Sequence, residues 1–471
     1  MPSLSQRLAG FAHDLGWGDL PPDVQAHVKL LVLDVVGLCL AAVRDEFAVA
    51  VLAVAEEMSG RPESRPVGID MAMPAPSAAL VSGTLTHGHD FDDSHAGSIV
   101  HTTSSVVPTA LAVGESLRLS GKAVLEGVAA GLEVNARLGL AAGDGFHKRG
   151  FHPTSVCGAL AASQVAARLM GLDADGLAQA MGIAGSMASG IREAYLGGGT
   201  WTKRLHPGWA AHAGILAARL ASRGFTGPVQ VLEGRFGLYN AMLGPEAWNA
   251  ATPVADLGAD WQIRNIGFKP YPCGVVIHPF LDGLRAVMGE HALDAEDLER
   301  IHCLIAPGAL ETVCEPVAEK LEPANEYQAK FSLQFCLAAV AIQGDLTLDT
   351  FQSAAVQDPS ILALARRVTF EPDPSQPYPR QYTANLQVTT RDGRRLSRVE
   401  SATRGSLERP MTPQEVQAKF WSNARRGLSD ESRIAALQEH VLRLESLPRI
   451  AAMLDLASTD PRPLSLSTSR P

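Results

Sequence analysis

Hydrophobic residues recur every three or four positions through most of the first 265 residues, as in the run from Val28 to Cys39. This spacing puts apolar side chains on one face of an α-helix and predicts a region that is almost wholly helical. Ala and Gly are frequent there, and small side chains let helices approach closely. We predict a helix around Val28–Cys39, capped by Asp23, and further helices at about 106–119, 122–139, 154–170, 174–189 and 206–223.

The pattern changes after about residue 265, where short β-like segments alternate with helical ones. Four prolines between 372 and 379 break any regular element, so a loop is expected between two of the strands. This region, 266–405, is predicted to be an α+β domain with strands at 301–305, 367–370, 384–390 and 396–401 and helices at about 275–289 and 328–343.

The helical pattern returns at Thr412 and continues to about Leu456. We therefore assign 406–460 to the first domain and expect the tail, 461–471, to be disordered. The predicted fold is mainly α: a discontinuous all-helical domain, begun by 1–265, with an α+β domain inserted into the chain.

The chain has 471 residues, of which 46% are hydrophobic, and its formal net charge is −10. This charge argues against a nucleic-acid partner, and an anionic substrate would require a local cluster of cations. No uninterrupted apolar run reaches the roughly 18 residues that a membrane helix needs, and the first residues do not resemble a signal peptide. We expect a cytoplasmic protein without a membrane partner, in which the six scattered cysteines are reduced and mostly buried.

The densest polar segment is 87–95, His-Gly-His-Asp-Phe-Asp-Asp-Ser-His, with His101 shortly after it. Its imidazoles and carboxylates suit a metal site built on His87, His89 and Asp90. The same residues are equally typical of a loop in which Asp and Ser cap helices. A third interpretation is acid–base chemistry without metal, in which Asp90 orients a catalytic His101 and Ser94 binds substrate.

Three further segments carry candidate chemistry. His152 precedes a predicted helix start, Lys203, Arg204 and His206 end a glycine-rich loop, and Lys269 lies where the two compositional regions meet. A surface loop, a capped helix and a plain linker are the ordinary alternatives for these segments. Together, however, they supply the local cluster of cations that an anionic substrate would require in this acidic protein. Polycarboxylate chemistry is therefore the leading hypothesis.

At these segments the sequence resembles the MmgE/PrpD family, which includes 2-methylcitrate dehydratases, cis-aconitate decarboxylases and an iminodisuccinate epimerase. The resemblance is carried, in chain order, by 89–95 with His101, by 150–155, 202–208 and 269–273, and by Ala329-Lys330-Phe331-Ser332. It implies an all-helical domain built from both chain ends, an inserted α+β lid domain, and a homodimer that uses no metal and no organic cofactor.

The resemblance also implies functional positions in this chain. It places them at Asp90, Ser94, His101, His152, Lys203 and Lys269. With Arg204 and His206 added from the cluster of cations and imidazoles, we predict Asp90, His101 and His152 as catalytic residues, and Ser94, Lys203, Arg204, His206 and Lys269 as substrate-binding residues. One departure concerns Gly274, where the decarboxylases of the family carry a His, with only His278 later in this chain. The lid Tyr of those decarboxylases has no clear match either.

These features favour a cofactor-independent hydro-lyase that acts on a small polycarboxylate such as 2-methylcitrate. His101 would exchange the proton next to a carboxylate, His152 would assist at the hydroxyl, and the lysines would hold carboxylates. The alternatives are an epimerase, isomerase or decarboxylase of a small di- or tricarboxylate on the same fold, then a metal-dependent hydrolase, then a non-catalytic carboxylate-binding protein.

Overall fold

The computed structural model describes residues 1–58, 60–196 and 200–459. Helices account for 58% of the structure and strands for 8%. The predicted disordered tail, 461–471, lies outside the described residues, as does part of the glycine-rich loop before Lys203.

Helices from both ends of the chain form the larger part of the molecule. Its hydrophobic core is drawn from residues between Leu4 and Phe268 and again between Met411 and Ala457. The helices of this part are α1 Leu4–Asp14, α2 Pro22–Ala42, α3 Glu46–Glu57, α4 Ala75–His87, α5 Thr103–Ser116, α6 Gly121–Ala142, α7 Gly145–Lys148, α8 Pro153–Leu169, α9 Ala174–Gly185, α10 Glu193–Leu196, α11 Thr202–Ala221, α12 Leu238–Met242, α20 Pro413–Gly427, α21 Glu431–Leu442 and α22 Ala451–Ala457.

Residues between Tyr271 and Val388 form a second core. Here the strands β3 Leu298–Ile305, β4 Val368–Pro372, β5 Ala384–Thr390 and β6 Arg395–Glu400 make one sheet in the order β4-β3-β5-β6. β3 pairs parallel with β4 and antiparallel with β5, which pairs antiparallel with β6. The helices are α13 His278–His291, α14 Leu310–Val313, α15 Val317–Leu321, α16 Glu326–Lys330, α17 Leu333–Gln343, α18 Ser353–Val356 and α19 Pro359–Ala365. This confirms the predicted fold class of an α+β lid domain inserted into a helical one.

Small residues bring α4, α5, α8 and α11 together around the site described below. A Cβ atom on Gly83 of α4 would lie 2.6 Å from the Cα of Gly208 in α11, so the two backbones touch there. Likewise, a Cβ on Gly158 would lie 2.8 Å from the Ser105 hydroxyl oxygen. The close helix approach expected from the Ala and Gly content is therefore confirmed.

Helix α2 is long and apolar enough to cross a membrane by length and composition, although 72% of its most apolar window is buried inside the protein. Its buried Asp34 is paired with Lys419 of α20 at 2.9 Å. A core helix of a folded domain has these properties too. The helix begins at Pro22 with Pro21 at its cap, so the predicted cap, Asp23, lies in the first turn instead.

Candidate active site

The polar segment that follows α4 turns sharply at Asp90. This residue has a φ of +53°, in the left-handed region that Asp tolerates better than most side chains. The chain then forms a two-residue strand, β1 (Ser94–His95), which pairs antiparallel with β2 (Ile266–Gly267). This pairing places the 87–95 segment beside Lys269, far away in sequence.

The other polar residues come from the beginnings of three helices. His101 lies just before α5, His152 is the N-terminal cap residue of α8, and Lys203 is in the first turn of α11. Because α5, α8 and α11 pack on one another, their N-terminal ends converge on the turn at Asp90.

Two buried lysines share the carboxylate of Asp90. The Nζ atom of Lys269 donates to Asp90 Oδ1 at 2.8 Å and to its backbone oxygen at 2.9 Å, and Lys203 Nζ donates to the same Oδ1 at 3.1 Å. Burial opposes ionisation of Asp90, but the two ammonium groups outweigh it and hold the pKa well below its ordinary value. An ammonium group has three donors, so these two bonds leave one N–H of Lys269 for a ligand.

His101 is held in one tautomer. Its Nδ1 lies 2.6 Å from the backbone oxygen of Asp93, which can only accept, so Nδ1 carries the proton. Burial lowers the pKa of His101 to about 3 against the opposing charge of Asp92, which leaves the ring neutral near pH 7. The unprotonated nitrogen of this neutral ring is then Nε2, so His101 is equipped as a base.

Asp92 and Asp93 fix the surroundings of His101. Asp92 accepts from Nδ1 of His87 at 2.7 Å, and Nε2 of His87 has no hydrogen-bond partner among the described residues. Asp93 accepts from the backbone and hydroxyl groups of Thr102 and Thr103 at the start of α5. Burial and the neighbouring charge of Asp92 raise the pKa of Asp93 to about 6. The two carboxylates therefore hold the ring of His87 and the start of α5 in place next to His101.

His152 and His206 form a second imidazole pair, with their Nδ1 atoms 2.8 Å apart. Burial lowers the pKa of His206 to about 4 and that of His152 well below its usual value, so both rings are neutral near pH 7. One ring must then donate and the other accept, which suits the pair to passing a proton.

The lid domain closes these residues into a cavity of about 80 Å³, here called the catalytic cavity. Its first-domain wall includes Asp90, His101, His152, Lys203 and Lys269. At about 10–15 Å³ for each enclosed water, this is room for several waters or one small acid. The lid wall comprises Gly274, Val275, Val276, Ala309, Thr312, Val313, Phe331, Tyr378 and Tyr382.

Three of the predicted substrate-binding residues do not line the catalytic cavity. Ser94 lines a neighbouring cavity, and His206 lies behind His152. The guanidinium of Arg204 lies over the rings of Phe47 and Tyr327, at 4.6 and 5.2 Å from their centroids, and pairs with Glu326 of α16. Arg204 therefore joins the lid to the helical domain and does not line the catalytic cavity.

The metal site considered from the sequence is not assembled as expected. His89 pairs with Asp45 at 2.9 Å, and its ring does not join His87 and Asp90 in any cluster among the described residues. Two other sets have ligand atoms within 4.8 Å of one another and could hold a divalent ion by proximity: His87, His101 and His152, and His87, Asp90, Asp92 and His101. The second set keeps two of the three predicted ligands, His87 and Asp90.

Comparison with known proteins identifies the family of this chain. The profile of the MmgE/PrpD N-terminal domain matches residues 6–251, and that of the MmgE/PrpD C-terminal domain matches residues 271–443. The chain belongs to the MmgE/PrpD family. It is 28% identical to a cis-aconitate decarboxylase of Homo sapiens, covering 100% of this chain and 98% of the relative. It is 29% identical to that of Mus musculus, covering 95% and 92%, and 26% identical to one of Aspergillus terreus, covering 96% and 95%.

These relatives are decarboxylases rather than dehydratases. They support a decarboxylase, which the sequence analysis gave as an alternative, better than the 2-methylcitrate dehydratase that it preferred. Like this chain, they are members of the MmgE/PrpD family that match along nearly their whole length.

Several residues of the site were missed from the sequence. Tyr378 and Tyr382 reach the catalytic cavity from the proline-rich loop between β4 and β5, where no local pattern marks them as functional. Lys330, part of a motif that carried the resemblance, donates to the backbone oxygen of His89 at 3.0 Å and ties the lid to the 87–95 segment. By contrast, His278 points its Nε2 at the backbone oxygen of Cys273 in the lid and does not line the cavity.

Proposed function

We propose that this protein is a cofactor-independent lyase that decarboxylates a small unsaturated tricarboxylate of the cis-aconitate type. The observation that carries the proposal is the fixed tautomer of His101, whose Nε2 serves a cavity that also holds the ammonium groups of Lys203 and Lys269. The similarity to cis-aconitate decarboxylases over nearly the full chain supports the same substrate class.

The reaction breaks the carbon–carbon bond to one carboxylate, and CO₂ leaves. The electron pair of that bond moves through the adjacent double bond to the carbon that carries a second carboxylate. That carbon then takes up a proton. Negative charge thus grows on the second carboxylate in the transition state, and the ammonium groups of Lys203 and Lys269 stabilise it there.

His101 is the proton carrier in this scheme. A bound tricarboxylate raises the pKa of the neutral ring, because nearby negative charge favours the imidazolium form. Nε2 then takes a proton and delivers it to the carbon, with His152 and His206 as the pair that replenishes it. A positioned acid of this kind contributes about 10²–10⁴ in rate.

Gly274 favours a second candidate, a hydro-lyase of the 2-methylcitrate dehydratase type. The resemblance predicts a His at this position in decarboxylases, whereas here Gly274 lies against Phe331 on the cavity wall. In a dehydration, Nε2 of His101 removes the proton next to a carboxylate, and His152 protonates the departing hydroxyl. The same residues therefore serve either lyase.

Proton NMR of the metal-stripped protein in D₂O distinguishes the two. We expect cis-aconitate to lose CO₂ and to give a product with a new terminal alkene and one deuterium on carbon. New vinylic signals from 2-methylcitrate or citrate, without release of CO₂, would support the hydro-lyase instead. Exchange at the α-carbon without new species would indicate an epimerase, and restoration of activity only by added metal would contradict the cofactor-independent mechanism.

We also propose that the protein works as a homodimer, as the family resemblance predicts. One face of α11 exposes Leu205, Trp209, Leu216 and Leu220, and Trp201 extends this face from the cap position; each is 37–44% accessible. These positions recur at helical spacing and form a continuous apolar stripe. A stripe on one helix can pack against its own copy about a two-fold axis, which is the commonest geometry of protein dimers.

A further inference from the structure

A second cavity adjoins the catalytic cavity and has no role in the chemistry described above. This side cavity has a volume of about 220 Å³ and is lined by Ser94 and His95 of β1 and by Arg380 of the β4–β5 loop. Lys269, Val275 and Tyr382 line both cavities, so the two spaces share a wall. A molecule held by Lys269 is therefore within reach of both.

Arg380 offers an uncommitted charge to this space. Its guanidinium makes no ion pair or hydrogen bond with any of the residues that the structure describes, and its side chain is exposed. The loop that carries it is held in place, because the backbone N–H of Asp373 donates to Ile305 at 2.7 Å and the Thr383 hydroxyl donates to Gln376 at 3.2 Å. The loop thus holds the backbone of Arg380 at the cavity wall, and a guanidinium with its planar set of donors is the group best suited to a carboxylate.

His95 adds a buried donor on the same wall. Its Nδ1 accepts from the backbone N–H of Ser98 at 3.3 Å, so the proton of the neutral ring is on Nε2. No described acceptor meets hydrogen-bond geometry at that Nε2, although the side chain is only 2% exposed. Burial lowers the pKa of His95 to about 4, and the adjacent side chain of Gln262, which lines the same cavity, partly opposes this shift. A buried donor without a well-placed acceptor gains a hydrogen bond when a ligand supplies one.

The charges of the side cavity favour an anion. Arg380 and Lys269 are its cations, and Glu408 on the same wall already accepts from the Ser406 hydroxyl at 2.8 Å. The Ser94 hydroxyl, which the sequence assigned to substrate, also lies here.

We propose that Arg380, with Ser94 and His95, forms a second carboxylate subsite, and that the substrate spans from the catalytic cavity past Lys269 into it. The proposal rests on the proposed function for the identity of the substrate class, and it makes Arg380 a specificity-determining residue. Arg380 selects a tricarboxylate over a dicarboxylate by binding the carboxylate that takes no part in the reaction.

Two unreactive acids test the subsite without any turnover. Tricarballylate has three carboxylates, and glutarate has the same carbon chain without the central one. By calorimetry we expect the wild-type protein to bind tricarballylate at least tenfold more tightly than glutarate. The Arg380→Gln variant should lose this preference, whereas glutarate affinity should change less than threefold. The preference of Arg380→Lys for tricarballylate should lie between those of the wild-type protein and Arg380→Gln, because lysine keeps the charge but not the paired donors.

Arg300→Gln is the matched control, since Arg300 is also an exposed lid arginine but lies on β3 outside both cavities. It should leave both affinities unchanged. Equal affinity of the wild-type protein for the two acids, failure of tricarballylate to bind, or unchanged binding in Arg380→Gln would each overturn the subsite.

Turnover separates the subsite from the proposed function. For a tricarboxylate substrate, Arg380→Gln should raise KM at least tenfold while kcat stays within threefold, because the residue binds a carboxylate remote from the bond that breaks. If cis-aconitate is not decarboxylated but the binding preference depends on Arg380, the proposed reaction fails and the subsite stands. A fall in kcat with unchanged KM would contradict the subsite.

Discussion

Asp90→Asn tests the central electrostatic feature of the site, a single carboxylate shared by two buried lysines. The substitution preserves size and removes one negative charge, so Lys203 and Lys269 lose the carboxylate that they share, and Asp92 remains as a nearby negative charge. Removing one partner of a buried ion pair costs about 3–5 kcal/mol. Unfolding entropy is about 2.1 cal/mol/K per residue, or about 1 kcal/mol/K for 471 residues. The midpoint of thermal unfolding, Tm, should therefore fall by about 3–5 °C.

The pH dependence of Tm provides a second measure. The pKa of Asp90 is lower in the folded protein than in the unfolded chain, so its contribution to stability is complete above the unfolded pKa of about 3.9 and is lost as the pH falls toward the folded value. Acidification from pH 6 should consequently narrow the difference in Tm between the wild-type protein and Asp90→Asn, with most of the change below about pH 4.

Scanning calorimetry of both proteins from pH 2.5 to 8 makes the measurement, with Asp23→Asn as control. Asp23 makes an ion pair of similar length with Arg264, 2.7 Å, but its side chain is 61% exposed. An exposed pair contributes at most about 1 kcal/mol, so the control should shift Tm by about 1 °C or less. An equal, small shift in Tm for both variants would refute the electrostatic account of the site. So would a difference in Tm between the wild-type protein and Asp90→Asn that does not change with pH.

Three further results are expected. His101→Gln should lower kcat by about 10²–10⁴ in the NMR assay while substrate still raises Tm, and unchanged turnover would remove His101 from the mechanism. Gly274→Ala should retain kcat within threefold, because its Cβ would lie 3.3 Å from the edge of the Phe331 ring, which can shift by a few tenths of an ångström; a large loss would mean that the wall is rigid there. Trp209→Glu should convert the dimer into monomers in light scattering, and a dimer that persists would exclude the α11 stripe as its interface.

The sequence predicted the regular elements well where the periodicity was strong. The predicted helix at 122–139 is α6, Gly121–Ala142, and the predicted strand at 384–390 is β5 with the same bounds. Both have long runs of apolar residues at the required spacing and clear turn residues at their ends. The four polar segments singled out in the sequence also meet at the catalytic cavity, because each lies at the start of a helix or beside the β1–β2 pairing.

The placements that differ from expectation have a common physical cause: the spacing of residues along the chain does not fix the direction of their side chains in space. Arg204 was taken as a substrate ligand because it follows Lys203, but neighbouring residues on a helix point about 100° apart. Lys203 thus faces the cavity, and Arg204 faces α16. Tyr378 and Tyr382 were missed because their loop reaches the cavity only through the packing of the lid, which no local pattern records.

The shared carboxylate also explains how an acidic protein can keep a cationic site ready for an anion. Burial alone lowers the pKa of a lysine, and the pKa of Lys203 is already below its ordinary value despite its bond to Asp90. Without that carboxylate the two ammonium groups would repel each other in a water-poor space, and one of them would lose its proton before substrate arrived. Asp90 favours the charged form of both, and its two bonds to Lys269 leave one N–H of that ammonium group for a ligand. In the proposed function, the acid at the centre of the site is therefore a condition for binding a polycarboxylate. Neutralising Asp90 should consequently weaken both the fold and the affinity for the proposed substrate.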